Sequence, residues 1–212
     1  LNVIDTQKIK AHVTGHHVHV AEGSVKVGDV FDVQVDAARR DACRRNHSCA
    51  HLLQYALREV LGDHVQQRGS WVGPDVARFD FLNNEAMTVE QIHAVEDIIN
   101  REILANHEVR CELMSIEDAK KTGATMLFGE KYGDTVRVVT IGNPDHTESV
   151  ELCGGTHLHS TGQAGSFVIL SESGIAAGTR RIEAATGWNA LKHARAMSEE
   201  LHQLAAMLKT QP

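Results

Sequence analysis

Apolar and polar residues alternate over short stretches at the start of the chain, a pattern typical of β-strands. Turn residues lie between these stretches, at Glu22-Gly23 and at Val27-Gly28-Asp29. The predicted strands cover residues 12–14, 17–20 and 30–35. We therefore expect a small barrel-like β module over residues 1–36, without the first strands of a complete barrel.

A helical periodicity follows from about Ala37 and ends at Gly62, a residue type common at helix C-termini. Asn46 is a good N-cap residue, so we expect the helix to be renewed there. This interpretation places His47 and His51 in the first two turns of the renewed helix, at an accessible end and outside the core.

Two further helices are marked by their ends. Thr88 and Gln91 form a capping-box pattern, and a short helix over 115–122 is closed by Gly123. More strands are predicted at 69–72, 77–81, 136–141, 149–152, 166–171 and 181–185. Because helices and strands occur in mixed order without a βαβ rhythm, we predict an α+β fold, with a helix and antiparallel-sheet core over residues 37–187.

The last segment, residues 188–212, has a different pattern. Its apolar residues step by three and four, as in the seam of a coiled coil. They are Ala194, Met197, Leu201, Leu204 and Leu208. We expect a coiled-coil-like helix that starts a longer connection. Since the chain begins with Leu1 and stops just after this pattern, we expect it to be a piece of a longer protein.

Composition describes an ordinary globular protein, with 42% hydrophobic and 23% charged residues among 212. No apolar run approaches the ~18–20 residues of a membrane span, and no signal segment begins the chain. The four cysteines are scattered, which fits a reducing compartment. We expect a cytoplasmic protein without a membrane partner.

A net charge of −7 argues against a protein that coats nucleic acid non-specifically, and we expect no DNA partner. Docking to one structured RNA through a local basic patch stays open. The candidate residues are Arg39, Arg40, Arg44, Arg45, Arg180 and Arg181.

Two residue pairs of equal spacing predict a metal site. His47 and His51 are four residues apart on a predicted helix, so both imidazoles lie on one face. Cys153 and His157 flank Gly154-Gly155, where the backbone can bend tightly. Three nitrogens and one sulfur are a zinc-type set, so we expect one Zn²⁺ per chain. A closed structural site and a catalytic site with an open position both fit this spacing.

Other enzyme classes lack their motifs here. A zinc metalloprotease helix places Glu directly after its first histidine, whereas Ser48 follows His47. The chain has neither a Gly-x-Ser-x-Gly elbow nor a phosphate-binding glycine-rich loop. The sequence therefore argues against ATP chemistry within this piece.

Ordered blocks along almost the whole chain resemble the editing domain of alanyl-tRNA synthetases. They include RNHSCAHLL, RFDF, ELCGGTH and GTRRIEA, at residues 45–53, 78–81, 151–157 and 178–184, and the blocks together are far more specific than any one of them. Further blocks lie at 56–62, 65–70, 127–132 and 171–174. The freestanding alanyl-tRNA editing proteins and the threonyl-tRNA synthetase editing domain are related to this family.

The resemblance implies a domain that hydrolyses tRNA(Ala) wrongly charged with serine or glycine. The family's zinc ligands map onto His47, His51, Cys153 and His157. The first module maps onto the family's small barrel, and the tail maps onto the helix that leads to its oligomerisation domain. The implied partners are the acceptor end of tRNA(Ala) and the remaining domains of a parent chain, whose aminoacylation domain alone would use ATP.

A substrate pocket and an RNA contact are implied in the same way. A pocket glutamine of the family maps onto Gln67, and an arginine important for editing maps onto Arg180. Many bacterial members have Thr where this chain has Ala50, so Ser70 or Thr156 is expected to supply that hydroxyl. The predicted pocket comprises Gln67, Ser70, Gly154, Gly155 and Thr156, and the predicted tRNA contacts are Arg44, Arg45, Arg180 and Arg181.

The need for such a domain follows from binding energetics. A pocket sized for alanine excludes glycine or serine by only ~1–3 kcal/mol, so a second, hydrolytic sieve is required. Two alternatives stay open. One is a freestanding trans-editing deacylase, and the other is a zinc-stapled tRNA-binding module without catalysis.

Overall fold

A computed structural model describes residues 1–10, 13–126, 132–143 and 146–212. Contacts among these residues define two compact units, Leu1–Val35 and Asp36–Pro212. The described helices are α1 (Ala37–Leu61), α2 (Val89–Ala105), α3 (Ile116–Lys121) and α4 (Gly187–Met207). The described strands are β1 (Asn2–Lys10), β2 (Val13–His19), β3 (Gln67–Val72), β4 (Ala77–Leu82), β5 (Val109–Ser115), β6 (Thr135–Asn143), β7 (His146–Leu152), β8 (Phe167–Ala176) and β9 (Thr179–Thr186). The α+β class is confirmed, and each described sheet is antiparallel.

The first unit contains one antiparallel hairpin, β1 with β2. Strand β1 was not predicted, and residue 12 of the first predicted strand lies outside the described residues. The strand predicted at 30–35 is wrong, because these described residues have no regular secondary structure. Val30 and Phe31 are 95% and 48% exposed, so the described residues of this unit do not form a core around them. The barrel-like module stays a prediction.

Helix α1 runs without interruption from its N-cap Asp36, whose side chain accepts from the Arg39 amide, to Gly62. The predicted renewal at Asn46 is wrong, since Asn46 is buried within the helix. Its amide donates to the Gly73 carbonyl at 2.8 Å and its oxygen accepts from Thr186 Oγ1 at 2.6 Å. The asparagine therefore ties the helix to its surroundings instead of starting it.

A four-stranded sheet with the order β3-β4-β9-β8 packs against α1 and α2. The predicted capping box of α2 is confirmed, because Thr88 and Gln91 each accept a hydrogen bond from the other's amide. The main core lies between this sheet and the two helices. Its fully buried side chains include Leu52, Leu53, Phe79, Phe81, Ile99 and Ile182.

A three-stranded sheet with the order β5-β6-β7 lies beside α3. Ser115 caps α3 at the helix start that the sequence predicted, whereas β5 was missed although residues 109–113 alternate between apolar and polar types. A smaller core of Ala119, Val136, Val138 and Leu152 fills this region. Strand β7 ends at Leu152, immediately before Cys153.

The last helix, α4, exposes most of its apolar stripe. Met197, Leu201 and Leu204 are each more than half exposed. The coiled-coil seam therefore stays a prediction, since the described residues provide no partner for it. Among the described residues, no helix is both long and apolar enough to cross a membrane.

Candidate metal centre

The structure brings together the four predicted ligands. His47 and His51 lie one turn apart on α1, and Cys153 and His157 lie in the turn after β7. One potential donor atom from each residue lies within 4.8 Å of all the others. Sγ of Cys153 is 3.5 Å from Nε2 of His47 and 3.3 Å from Nε2 of His157.

These separations fit a tetrahedral metal ion. Zinc bonds of ~2.3 Å to sulfur and ~2.0–2.1 Å to nitrogen place the two donor atoms about 3.5 Å apart at a tetrahedral angle. The measured 3.3 and 3.5 Å agree with that value. The donor set of three imidazoles and one thiol is also the chemistry that zinc prefers.

The position of the histidines within α1 differs from the sequence expectation. His51 is 5% exposed and lies in the middle of the long helix, so the predicted accessible helix end is wrong. Burial lowers the pKa of His47, and it lowers the pKa of His51 to about 3 and that of His157 to about 2. Near neutral pH the three rings are therefore uncharged, the form that binds metal.

Burial also favours the neutral form of the Cys153 thiol, but for a thiol the neutral form is not the one that binds metal. Burial raises the pKa of Cys153, so without an ion the group is protonated near neutral pH. Because thiolate is the binding form, metal binding would release this proton.

Gly155 allows the two halves of the cluster to meet. A Cβ atom built on Gly155 would lie 1.8 Å from Cε1 of His47, so a larger residue would collide with this ring. At Gly154, which is exposed, the same construction meets nothing within 4 Å. The two adjacent glycines therefore have different roles.

Two groups around the cluster hydrogen-bond to histidine rings, and a third lies close to one. Nδ1 of His157 lies 3.2 Å from Ser48 Oγ, and Glu151 Oε2 approaches Nδ1 of His51 to 3.3 Å without a hydrogen bond. The backbone of Thr156 hydrogen-bonds to His47. Such outer partners fix ring orientation in metal sites. Sequence reasoning missed Ser48 and Glu151, although each is within two residues of a predicted ligand.

The predicted substrate residues divide into two groups. Gln67 lines a cavity of about 310 Å³ together with Glu151, the residue beside His51. Nε2 of Gln67 donates to the exposed Ser70 Oγ at 3.1 Å. Thr156 follows Gly155 on the His47 side of the cluster, and its hydroxyl accepts from Arg44 Nε at 3.2 Å.

The predicted RNA-binding arginines make contacts within the chain. Arg180 donates to both Glu172 oxygens at 2.5 and 2.6 Å, and Arg181 donates to both Asp80 oxygens at 2.7 and 2.8 Å. As adjacent residues of β9, the two arginines lie on opposite faces of the sheet. Arg180 pairs with Phe81, which in turn pairs with Gln67, so Arg180 and Gln67 share one face.

The other two arginines, Arg44 and Arg45, lie on α1 within one turn of His47. Arg44 also contacts Asp41 at 2.9 Å, which makes it a link between α1 and Thr156. Arg45 packs against Gly187, where an added Cβ would lie 3.1 Å from Arg45 Nε. Both side chains are half-buried, so each presents only part of its surface to solvent.

A second mixed cluster went undetected in the sequence. Nε2 of His107 lies 3.0 Å from Glu102 Oε2 and 3.5 Å from Glu148 Oε1. Glu102 and Glu148 are buried, and the imidazole of His107 lies between their carboxyl groups. The three residues come from the end of α2, the following loop and β7, which explains why spacing did not reveal them.

Comparison with known proteins finds a matching family model and several similar proteins. Residues 136–183 match the model of the threonyl and alanyl tRNA synthetase second additional domain. The chain is 56% identical over 210 residues to an alanine–tRNA ligase of Janthinobacterium sp. (strain Marseille), covering 99% of this chain and 24% of that protein. It is 54% identical to the alanine–tRNA ligases of Polynucleobacter asymbioticus and Herminiimonas arsenicoxydans, with the same coverage. The chain thus spans about a quarter of the length of these curated relatives.

Proposed function

Since this chain belongs to the alanyl-tRNA synthetase family, we propose that it is an editing domain that hydrolyses tRNA(Ala) mischarged with serine or glycine. The observation that carries the proposal is the convergence of His47, His51, Cys153 and His157 in one cluster, next to Glu151, which lines a cavity. Zinc is the proposed ion. Held there, it would supply Lewis-acid chemistry toward an ester carbonyl or a water molecule.

The protein's own part is to hold and orient the ligands. The three imidazoles are neutral, so the cluster needs to lose only the Cys153 proton to bind a cation. Ser48 holds the His157 ring, with its hydroxyl also accepting from the Leu158 amide at 3.1 Å. Glu151 lies beside the His51 ring and also lines the cavity, so this one side chain is adjacent to the proposed metal site and to the proposed substrate space.

Selection of the wrong amino acid is assigned to polar groups near the cavity. Gln67 and Ser70 hydrogen-bond to each other, and both can turn to a seryl hydroxyl. An alanyl group would have no hydroxyl with which to replace the bond that this pair gives up. The second sieve must add discrimination on the scale of about 1–3 kcal/mol. Ala50 is buried and has no hydroxyl, so it contributes no such contact.

Arg180 is the proposed contact to the tRNA end. Its Nε and Nη2 atoms serve Glu172, which leaves the hydrogens on Nη1 for a phosphate oxygen. Gly174 lies opposite Arg180 on β8, and a Cβ there would be 2.9 Å from Nη1. The glycine therefore keeps space beside the atom that has donors to offer. Arg44, Arg45 and Arg181 are the remaining proposed contacts.

The test is ester hydrolysis by the purified chain, with Ser-tRNA(Ala), Gly-tRNA(Ala) and Ala-tRNA(Ala) compared at equal concentration. We expect cleavage of the serine and glycine esters and survival of the alanine ester. Cys153→Ala should abolish cleavage, whereas Cys111→Ala is the matched control because Cys111 is exposed on β5. Equal rates for serine and alanine would contradict an editing role. Binding of tRNA(Ala) without any cleavage would favour the zinc-stapled binding module.

A freestanding trans-editing deacylase stays the alternative within the same chemistry. It would show the same substrate preference and the same dependence on Cys153. The length of the encoding gene separates the two.

A further inference from the structure

Arg137 makes three hydrogen bonds to the turn that carries two of the four proposed metal ligands. It lies on β6 and is half-buried. Its backbone carbonyl accepts from the Cys153 amide at 3.0 Å. Its Nε donates to the Cys153 carbonyl at 3.0 Å, and its Nη2 donates to the Gly155 carbonyl.

The turn itself has little intrinsic rigidity. It contains two consecutive glycines, which lose more conformational entropy on ordering than other residues. Gly154 is exposed, so the middle of the turn has little packing. Gly155 nevertheless has to remain against the His47 ring, where no Cβ would fit. A restraint from outside the turn is therefore required to keep its two ends in place.

The guanidinium provides a restraint of suitable shape. Nε and Nη2 point in one plane with fixed spacing, so their two acceptors are held at a fixed separation. These acceptors are the carbonyls on either side of Gly154. The amide of Gly155 then lies 3.5 Å from Cys153 Sγ, where it donates to the sulfur. The peptide group that contacts the sulfur, between Gly154 and Gly155, therefore lies between the two peptide groups that Arg137 holds.

We propose that Arg137 is a positioning residue for the metal centre, which fixes the Cys-Gly-Gly turn so that Cys153 Sγ and His157 Nε2 lie at metal-binding separation. The proposal rests on the metal site of the proposed function, and it concerns how the site is built. Lysine cannot replace arginine here, since one ammonium lacks the planar pair of donors.

The experiment compares Arg137→Lys with the matched change Arg78→Lys in the full chain. Arg78 pairs with Glu183 in the other sheet, where its side chain is 46% exposed, so its loss leaves the turn untouched. Zinc affinity is measured by competition with a chromogenic chelator. The visible absorption of the Co²⁺-substituted protein reports ligand geometry, and thermal unfolding in excess chelator reports the stability of the metal-free fold.

We expect Arg137→Lys to lower zinc affinity by about 10–100-fold, the usual effect of losing an outer-sphere partner. The cobalt ligand-field bands should shift, while metal-free unfolding matches that of Arg78→Lys. Wild-type affinity with an unchanged cobalt spectrum would overturn the proposal. A loss of affinity that only parallels a loss of metal-free stability would also overturn it, because the role would then be general folding.

A second variant covers the case in which Arg137→Lys does not fold. Arg137→Gln retains one neutral donor group and should also shift the cobalt bands, and an unchanged spectrum there would overturn the proposal. Wild-type protein that binds no cobalt would overturn both the metal site and this role. A wild-type chain that binds cobalt but cleaves no ester would overturn the deacylase alone, and a shifted spectrum in the variant would then still support the positioning role.

Discussion

At the scale of single residues, the proposed metal centre depends on one close approach, between Gly155 and the His47 ring. Gly155 lies where a Cβ would be 1.8 Å from the His47 ring, and Gly154 has open space at the same point. We predict that Gly155→Ala lowers zinc affinity at least about tenfold, because either the ring or the turn must move. Gly154→Ala should leave affinity close to wild type.

Chelator competition on the two alanine variants gives the measurement, with zinc content per chain as a second readout. Both variants add one methyl group to the same turn, so the comparison separates the collision from a general effect of stiffening the backbone. Equal affinities in the two variants would show that the His47 contact does not control the site.

Residue spacing was enough to predict which four side chains come together but not the groups that contact them. His47 with His51 and Cys153 with His157 are each four residues apart, which local geometry converts into a shared face or a shared turn. The bond from Ser48 to His157 joins residues 109 positions apart. Such a contact depends on how β7 pairs and on how α1 packs, and neither appears in any short stretch of sequence.

At the scale of elements, the residues at helix ends were more informative than the periodicity of apolar residues. Gly62, the Thr88 and Gln91 pair, and Ser115 each mark a helix end where the sequence placed one. The prediction of a new helix start at Asn46 was wrong because an asparagine side chain can also be buried within a helix, where its amide donates to a distant carbonyl. The strand expected at 30–35 failed because alternation needs a surface to bury against.

The capping box of α2 gives a prediction at this scale. Thr88 Oγ1 accepts from the Gln91 amide at 3.2 Å, so Thr88→Ala leaves a helix-end donor without its partner. We expect a loss of about 1 kcal/mol in the free energy of unfolding, measured by urea denaturation. Thr210→Ala in the exposed C-terminal segment is the matched control and should change stability little. Equal effects of the two changes would contradict a stabilising cap.

At the scale of the whole molecule, the proposed ion joins parts of the chain that are far apart in sequence. His51 and Cys153 are separated by about half of the chain, and both belong to the unit Asp36–Pro212. An ion that binds only the folded state stabilises it by mass action, by about 2.7 kcal/mol when its concentration is 100 times the dissociation constant. Binding at this centre should therefore act on the stability of the entire second unit.

The last prediction follows from the boundary between the units. All four proposed ligands and the partners Ser48, Arg137 and Glu151 lie within Asp36–Pro212, and the two hydrophobic cores lie there as well. A chain starting at Asp36 keeps the N-cap of α1, so we expect it to bind one zinc and to fold without residues 1–35.

Chelation should lower the melting temperature of the full chain and of the shortened chain by the same amount, about 5–10 °C for a stabilisation near 2.7 kcal/mol in a domain of this size. Calorimetry of both chains, with and without chelator, provides the measurement. A shortened chain that folds but binds no zinc would show that the first unit is needed to complete the centre, whereas an unchanged melting temperature on chelation of the full chain would remove the ion from its stability.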